Sequence, residues 1–340
     1  MCMFLLILAI ILASIIGFSA HRASLCTVSA VEEIITTRRA YMLGSFLKAA
    51  LWVIGVTLIL TQIFSKMPAH VDGWDLTPYT IVGGLVFGAG AALNGGCAVS
   101  TLTHLGSGNL GKLLTLAGFL LGAMSFGYIK TTGWISSPQP VEALLVQNSS
   151  WKNWMLGAVA LWMVWEVVRI LRVQLKTHKM GNLIAPRYKL SSAAFLIGIC
   201  NGVLFFAYGI WLHTRLLGDT ARFLVLDAPQ PDVFLWVLFG SLVLGITLSA
   251  LQSQRFAFKW RPQKHWIAYF FGGIFMGSGA ALIPGGNDVI LLSALPSLSL
   301  HAVPALISIL VGVAAALYAL RLIGNEIEHV DCQGDLCKSD

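Results

Sequence analysis

The chain has 340 residues, of which 57% are hydrophobic and only 11% are charged, and its mean hydropathy is +0.79. Soluble globular proteins carry about 25% charged residues, so this composition excludes a soluble enzyme and a disordered chain. The formal net charge of +7 resides mainly in loops between apolar runs. That pattern is typical of membrane topology and excludes a nucleic-acid-binding surface.

Nine apolar runs approach the length of about 20 residues that a membrane-spanning helix needs. They cover residues 2–19, 40–63, 79–93, 111–129, 152–170, 191–212, 232–250, 266–283 and 302–322. The first run ends in small residues, as a signal peptide does, but no Lys or Arg precedes it, so we predict a retained helix. The predicted fold is an all-α polytopic membrane protein with about nine transmembrane helices.

The charged loops predict how these helices are oriented. Loops 169–189 and 251–264 carry basic residues and no acid, whereas loops 64–78 and 214–231 carry acids. Short loops rich in Lys and Arg remain in the cytoplasm. We therefore expect the N-terminus outside and the C-terminus in the cytoplasm.

Two segments of the chain form an internal repeat. Gly83–Leu93 and Gly272–Leu282 match at seven of eleven positions, and a Gly-Gly pair follows each, at Gly95-Gly96 and at Gly285-Gly286. Small residues alone recur in many membrane helices, because they let two helices approach closely. The Gly-Gly pair at the same end of both segments favours paired broken helices that flank a transport pathway.

Four predicted spans precede the fifth and four follow it, so one half is expected to be inverted relative to the other. The predicted units are a first half over 1–150, a connecting helix and basic loop over 151–190, a second half over 191–323 and a polar tail over 324–340. Short re-entrant half-helices are predicted over Gly95–Leu102 and Gly285–Leu292. The first turn of such a helix has free N–H groups and a positive dipole end, which favour anions.

The six cysteines show no zinc-type spacing, and we expect no metal and no cofactor. They are Cys2, Cys26, Cys97, Cys200, Cys332 and Cys337. Cys332 and Cys337 are expected to be reduced in a cytoplasmic tail, and a disordered tail is favoured over a partner-docking segment. Cys97 directly follows the first Gly-Gly pair, and Cys26 follows the first span.

Two short segments resemble a known family. The run from His21 to Thr27 and the run from Asn94 to Ser100 are similar to the two signature segments of the YeeE/YedE sulfur-transport family, which includes thiosulfate-uptake permeases. The resemblance implies an inner-membrane protein of inverted repeats with an hourglass-like shape. It also implies that Cys26 and Cys97 are relay thiols for a small inorganic sulfur anion, with a cytoplasmic sulfur-carrier protein as a partner.

The sequence departs from the family pattern after the second Gly-Gly pair. Where thiosulfate-uptake members carry a third cysteine, this chain has Asn287, followed by Asp288. The Asn amide can donate hydrogen bonds to an anion, but a carboxylate repels one. Either Asp288 caps the half-helix, which we favour, or the substrate is not thiosulfate. Ser100 and Val28 also replace small glycine-type residues of the pattern.

The remaining polar residues of the apolar runs are ambiguous. Arg22, four residues before Cys26, can either attract an anion or anchor the chain on the positive side of the membrane. Lys112, at the start of the fourth run, is predicted to extend its ammonium to the membrane interface. Glu166 and Arg169, three apart on one helix, are predicted to form an ion pair.

The candidate pathway residues are therefore Arg22, Cys26, Gly95, Gly96, Cys97, Gly285, Gly286, Asn287 and Asp288. Three functions are compatible with them. The first, which we favour, is a permease in the lipid bilayer for a small sulfur-containing anion, above all thiosulfate, which cysteine thiols and half-helix N-termini pass through a central constriction. The second is a membrane thiol-dependent sulfur-handling subunit, with Cys332 and Cys337 as acceptors. The third is a permease for another substrate, such as a selenium compound.

Overall fold

A computed structural model describes residues 3–64, 72–131, 133, 139–145, 151–176, 185, 187–226, 228–261, 265–324, 330–333 and 335–339. Cys2 and parts of the four loops used for the orientation lie outside these ranges. Thirteen helices are described: α1 (Met3–Ala23), α2 (Thr27–Thr37), α3 (Tyr41–Phe64), α4 (Pro78–Leu93), α5 (Ala98–Gly106), α6 (Lys112–Thr131), α7 (Trp151–Lys176), α8 (Leu190–Tyr208), α9 (His213–Leu226), α10 (Val233–Gln252), α11 (Trp266–Leu282), α12 (Asn287–Val289) and α13 (Ala302–Leu322). A π-helical turn, Ile290–Ala294, continues α12.

Four short strands complete the described residues. β1 (Asp72–Trp74) pairs with β2 (Pro140–Glu142), and β3 (Val330–Gln333) pairs with β4 (Leu336–Ser339), each antiparallel. Eight helical segments of the described residues are long and apolar enough to cross a membrane, or nine if a pair bent by 47°, α11 with the segment Asn287–Ala294, counts as one. The structure thus confirms the all-α polytopic fold, and each predicted run overlaps a helix.

The prediction was wrong about two segments, which are helical and not loops. α2 follows α1 after a break, and α9 occupies most of the predicted outer loop 214–231. α9 contains too many polar residues to form an apolar run in the sequence. Two of them, Arg215 and Asp219, form an ion pair at 3.0 Å along one face of the helix. α9 packs against α6.

Two sets of elements follow the same order along the chain. The sets are α1–α6 and α8–α13. Each begins with a broken helix (α1 with α2, α8 with α9) and a long helix (α3, α10). A second broken helix (α4 with α5, α11 with α12) and a final long helix (α6, α13) follow. Their contacts correspond as well. α1 packs on α10 as α3 packs on α8, α6 packs on α11 as α13 packs on α4, and α4 packs on α11. α7 connects the two sets and packs on α3.

The repeated glycines let α4 and α11 cross in direct backbone contact. A Cβ added at Gly83 would lie 3.0 Å from the carbonyl oxygen of Gly279, and one at Gly279 would lie 2.5 Å from that of Gly83. Gly90 and Gly272 show the same reciprocal approach, at 2.7 and 2.8 Å. These glycines therefore serve helix packing, while the Gly-Gly pairs that follow them end the two helices.

The C-terminal segment is a hairpin and not the disordered tail that we predicted. Cys332 and Cys337 face each other across β3 and β4 and are joined by a disulfide, which contradicts the expectation of reduced thiols. Asp335, at the tip, accepts hydrogen bonds from the backbone N–H groups of Leu190 at 2.8 Å and Ser191 at 3.1 Å. Because these contacts satisfy the first N–H groups of α8, the hairpin is held against that helix.

Candidate functional site

Cys26 and Cys97 lie together, although 71 positions separate them in the sequence. Each directly precedes a short helix, Cys26 before α2 and Cys97 before α5, and both are buried and not in a disulfide. The backbone N–H of Cys97 donates to Cys26 Sγ at 3.5 Å. The breaks in the two helices therefore bring two free thiols to one point.

The first Gly-Gly pair produces the turn that places Cys97. Gly95 has a φ of +66°, which glycine adopts without strain. The N–H groups of Gly95 and Gly96 donate back to the last carbonyl groups of α4, at 3.0 and 2.9 Å. The chain can then reverse tightly and begin α5 at Ala98.

The second Gly-Gly pair places Asn287 beside the thiols. Gly285 has a φ of +120°, and Gly286 precedes the first residue of α12. Asn287 Oδ1 accepts from the backbone N–H of Ala98 at 3.3 Å, and its Nδ2 donates to Thr27 Oγ1 at 2.9 Å. Asn287 therefore joins the start of α5 to the start of α2, directly beside Cys97 and Cys26.

Asp288 does not cap its own half-helix, so the favoured interpretation was wrong. α12 has no side-chain cap. The Asp288 carboxylate instead turns toward the start of α9, where it accepts from the backbone N–H of Thr214 at 3.4 Å and lies 3.0 Å from Nδ1 of His213. Asp288 thus serves the N-terminus of α9, and no spacing pattern in the sequence indicates that contact.

The Arg22 side chain makes its hydrogen bonds to groups other than Cys26 and Cys97. Its side chain is buried and donates to the Ser249 hydroxyl at 3.0 Å, the Gln252 amide oxygen at 2.8 Å and the Ala185 carbonyl at 2.6 Å. All three acceptors are neutral. Among the residues that the structure describes, no carboxylate therefore compensates the charge of Arg22, near the end of α10.

Arg255, in the turn after α10, extends this positive region. Burial, together with the charges of Arg187 and Arg22, lowers the pKa of Arg255 below its usual range. The direction follows from physics, because neighbouring cations and partial desolvation both disfavour the charged form. Three guanidinium groups thus share one end of the helix bundle.

Lys112 does not extend to an interface, which corrects the prediction. Its side chain is only 2% exposed. The ammonium donates to the Asn94 carbonyl at 2.6 Å and to Asn94 Oδ1 at 3.1 Å, and it lies 3.7 Å from the ring centre of Tyr269. Within the described residues, no carboxylate lies within 4 Å of this ammonium.

Asn94 connects Lys112 to the turn at Gly95-Gly96. Its Nδ2 donates to the Gly96 carbonyl at 2.7 Å and to the Thr101 hydroxyl at 2.8 Å. Asn94 therefore holds the Gly-Gly pair and the first turn of α5 together. Sequence reasoning missed this residue, although it stands directly before the Gly-Gly pair.

Two cavities adjoin the site. An open cavity of about 270 Å³ is lined by residues of α6, α9 and α11, including Thr214, Pro284 and Gly285. A smaller one of about 40 Å³ is mostly apolar and is lined by residues that include His213, Asn287 and Asp288. The start of α12 therefore lies between the two cavities.

The fold and the site together define a class of protein. It is a polytopic membrane protein whose broken helices meet around two thiols, an arrangement suited to moving a small solute. The chain belongs to the sulphur transport family, whose model matches residues 22–315. It is also 23% identical over 318 residues to a curated relative, the thiosulfate transporter TsuA of Escherichia coli K12, a match that covers 85% of this chain and 88% of the relative. The protein is accordingly a membrane transporter of sulfur-containing anions.

Proposed function

We propose that this protein carries thiosulfate across the bacterial inner membrane, through the point where Cys26, Cys97 and Asn287 meet. The name of the Escherichia coli relative supports this choice of substrate. The observation that carries the proposal is the contact of two free, buried cysteines, the Cys97 N–H with Cys26 Sγ, at the junction of two broken helices.

The donors that an anion needs are present at this junction and are weakly occupied. The N–H groups of Cys97 and Ala98, at the start of α5, point at a thiol sulfur 3.5 Å away and an amide oxygen 3.3 Å away. The second distance is longer than the usual 2.7–3.2 Å of an N–H···O bond. A thiosulfate oxygen can replace these acceptors at low cost, and the positive end of α5 favours its charge. The thiols then act as weak S–H donors to the anion.

Two buried cations compensate the negative charge of the substrate. Within the described ranges, the hydrogen-bond acceptors of Lys112 close to the first Gly-Gly turn are all neutral, and so are those of Arg22 near one end of the bundle. A buried charge without a counter-charge is costly. A passing dianion supplies the missing counter-charge. The path therefore comprises the two thiols, Asn287 and the turns at Gly95-Gly96 and Gly285-Gly286, while Asp288 stands to one side of it.

The orientation belongs to the same proposal. The basic segments around Arg169 to Lys189 and Arg255 to Arg261 favour a cytoplasmic location for that end of the bundle. The N-terminus is then outside, the C-terminal hairpin is cytoplasmic, and the open cavity faces outward. The units 1–150 and 191–323 are inverted halves, 151–190 connects them, and 324–340 forms the tail. A cytoplasmic sulfur-carrier protein receives the substrate on the inner side of the membrane.

The alternative of a thiol-dependent sulfur-handling subunit is favoured by one observation, the disulfide between Cys332 and Cys337. Disulfides on a cytoplasmic face are usually catalytic or redox-sensing. In that function the protein alone would move no anion.

Reconstitution of the purified protein into liposomes tests the proposal. We expect uptake of ³⁵S-thiosulfate by the protein alone, and stronger competition from unlabelled thiosulfate than from sulfite, sulfate or selenite. Absence of uptake by the protein alone favours the sulfur-handling subunit. Stronger competition by selenite favours the selenium permease.

A further inference from the structure

The buried pair His213 and Asp288 has no part in the path described above. Their side chains are 3% and 1% exposed, and Nδ1 of His213 lies 3.0 Å from Asp288 Oδ2. The pair forms where α9 and α12 both begin, one residue from Asn287. Ionisable side chains within membrane-spanning segments are costly and usually mark a transport function.

The second ring nitrogen of His213 matters for proton binding. Nε2 is buried and has no hydrogen-bond partner within the described part of the chain. When Nδ1–H donates to the carboxylate, Nε2 carries the lone pair of a neutral imidazole. It can therefore bind a proton, which gives an imidazolium paired with the carboxylate.

The pair also stands between the two cavities. Thr214 lines the open cavity and its hydroxyl donates to Asp288 Oδ1. His213 and Asp288 line the small cavity with Asn287. Its volume of about 40 Å³ exceeds the roughly 10–15 Å³ that a water molecule requires. A proton from the open cavity can thus reach the pair through the Thr214 hydroxyl.

Few other titratable groups face the pair. On α9 itself, Arg215 and Arg222 both pair with Asp219. Across the junction lie the two thiols, Cys26 before α2 and Cys97 before α5, and α5, which packs against α12, contains His104. The helices packed against α9 contribute little: α10 contains no titratable residue, α11 only Tyr269, and α6 Lys112, Tyr128 and Lys130.

On these grounds, and assuming the proposed function, we propose that His213 and Asp288 bind one proton and couple its inward movement to that of the anion. The unprotonated pair has a net charge of −1 beside Asn287 and repels a dianion there. The protonated pair is neutral and admits the anion. By linkage, the bound anion in turn favours protonation.

Movement of a proton with the anion also lowers the cost of bringing negative charge into the cell against the membrane potential. A dianion that enters against an inside-negative potential of about 100 mV would equilibrate at a roughly 2,000-fold lower concentration inside. One accompanying proton halves the charge moved and reduces that factor to roughly fifty. An inward proton gradient reduces it further.

The test uses proteoliposomes with a pH-sensitive dye inside and thiosulfate added outside. We expect the wild-type protein to acidify the lumen as thiosulfate enters, and to accumulate ³⁵S-thiosulfate at least several-fold when the outside is acid. Asp288→Asn and His213→Gln should lose both effects while exchange of internal for external thiosulfate remains measurable. Asp219→Asn, on the same helix, should keep both effects.

Wild-type uptake without acidification and without a response to the pH gradient would overturn the coupling, whatever the folding of the variants. Acidification by a folded Asp288→Asn variant would also overturn it. If the wild-type protein neither takes up nor exchanges thiosulfate under any condition, the proposed function itself fails.

Discussion

The backbone N–H of Cys97 points at the sulfur of Cys26 across 3.5 Å. One residue further on, the N–H of Ala98 points at Asn287 across 3.3 Å. The start of α5 is thus held by one side chain from the same half of the chain and one from the other. Any solute that reaches this point meets two thiols, an amide and a helix N-terminus.

Asn287 can be tested by substitution. Asn287→Leu removes the acceptor of the Ala98 N–H and the donor to Thr27, and an unsatisfied buried group costs about 1–3 kcal/mol. We expect lower thermal stability and no thiosulfate uptake. Asn287→Cys, which provides a third thiol, should retain uptake. Equal uptake by the Leu variant and the wild type would contradict a role for this amide.

Lys112 should determine affinity through its charge. Lys112→Gln keeps a donor for Asn94 but removes the cation, so we expect KM for thiosulfate to rise roughly ten- to a hundredfold, the value of a charged hydrogen bond. Lys112→Arg should restore most of the affinity. The control is Lys48→Gln, because Lys48 has a carboxylate partner, Glu166, at 3.3 Å. An unchanged KM in Lys112→Gln would show that the Lys112 charge does not contribute to thiosulfate binding.

The close crossing of α4 and α11 should make the fold sensitive to any side chain that replaces one of its glycines. Gly279→Val places a branched side chain against the carbonyl oxygen of Gly83, which a Cβ already approaches to 2.5 Å. Overpacking of this kind costs about 1–3 kcal/mol, so the melting temperature in detergent should fall. Gly240→Val is the control, because nothing lies within 4 Å of a Cβ there. Similar melting temperatures for both variants would contradict the close crossing.

Much of this architecture is predictable from local pattern. The nine apolar runs, the Gly-Gly turns and the pairing of Glu166 with Arg169 at 2.8 Å all depend on residues close in sequence. α2 and α9 were missed because they are short and partly polar, so neither forms a long apolar run.

Other features depend on contacts that spacing does not encode. Asp288 meets His213, which is 75 positions earlier (288 − 213), at 3.0 Å. Lys112 stands at the start of an apolar run, and that position in the sequence is the same whether its ammonium extends to the membrane interface or binds Asn94. The hairpin containing Cys332 is stabilised by its contacts with α8, which the composition of the tail does not reveal.

The C-terminal disulfide should be dispensable for transport. Cys337→Ser opens the bond to Cys332 but leaves both free thiols of the junction in place. We expect uptake within about twofold of the wild type, with a small loss of stability because the closed loop is short. Treatment with a membrane-impermeant reductant on the hairpin side should give the same result. Loss of uptake in both experiments would instead support the sulfur-handling function.

The most direct measurement is uptake of ³⁵S-thiosulfate into proteoliposomes that contain the wild-type protein, Cys97→Ala, Cys26→Ala or Cys200→Ala. Cys200 is the matched control, because it is also buried and free but lies within α8. We predict that Cys97→Ala reduces uptake to background, that Cys26→Ala reduces it strongly, and that Cys200→Ala leaves it at the wild-type rate. Wild-type uptake by a folded protein that lacks both Cys26 and Cys97 would contradict the thiol pathway.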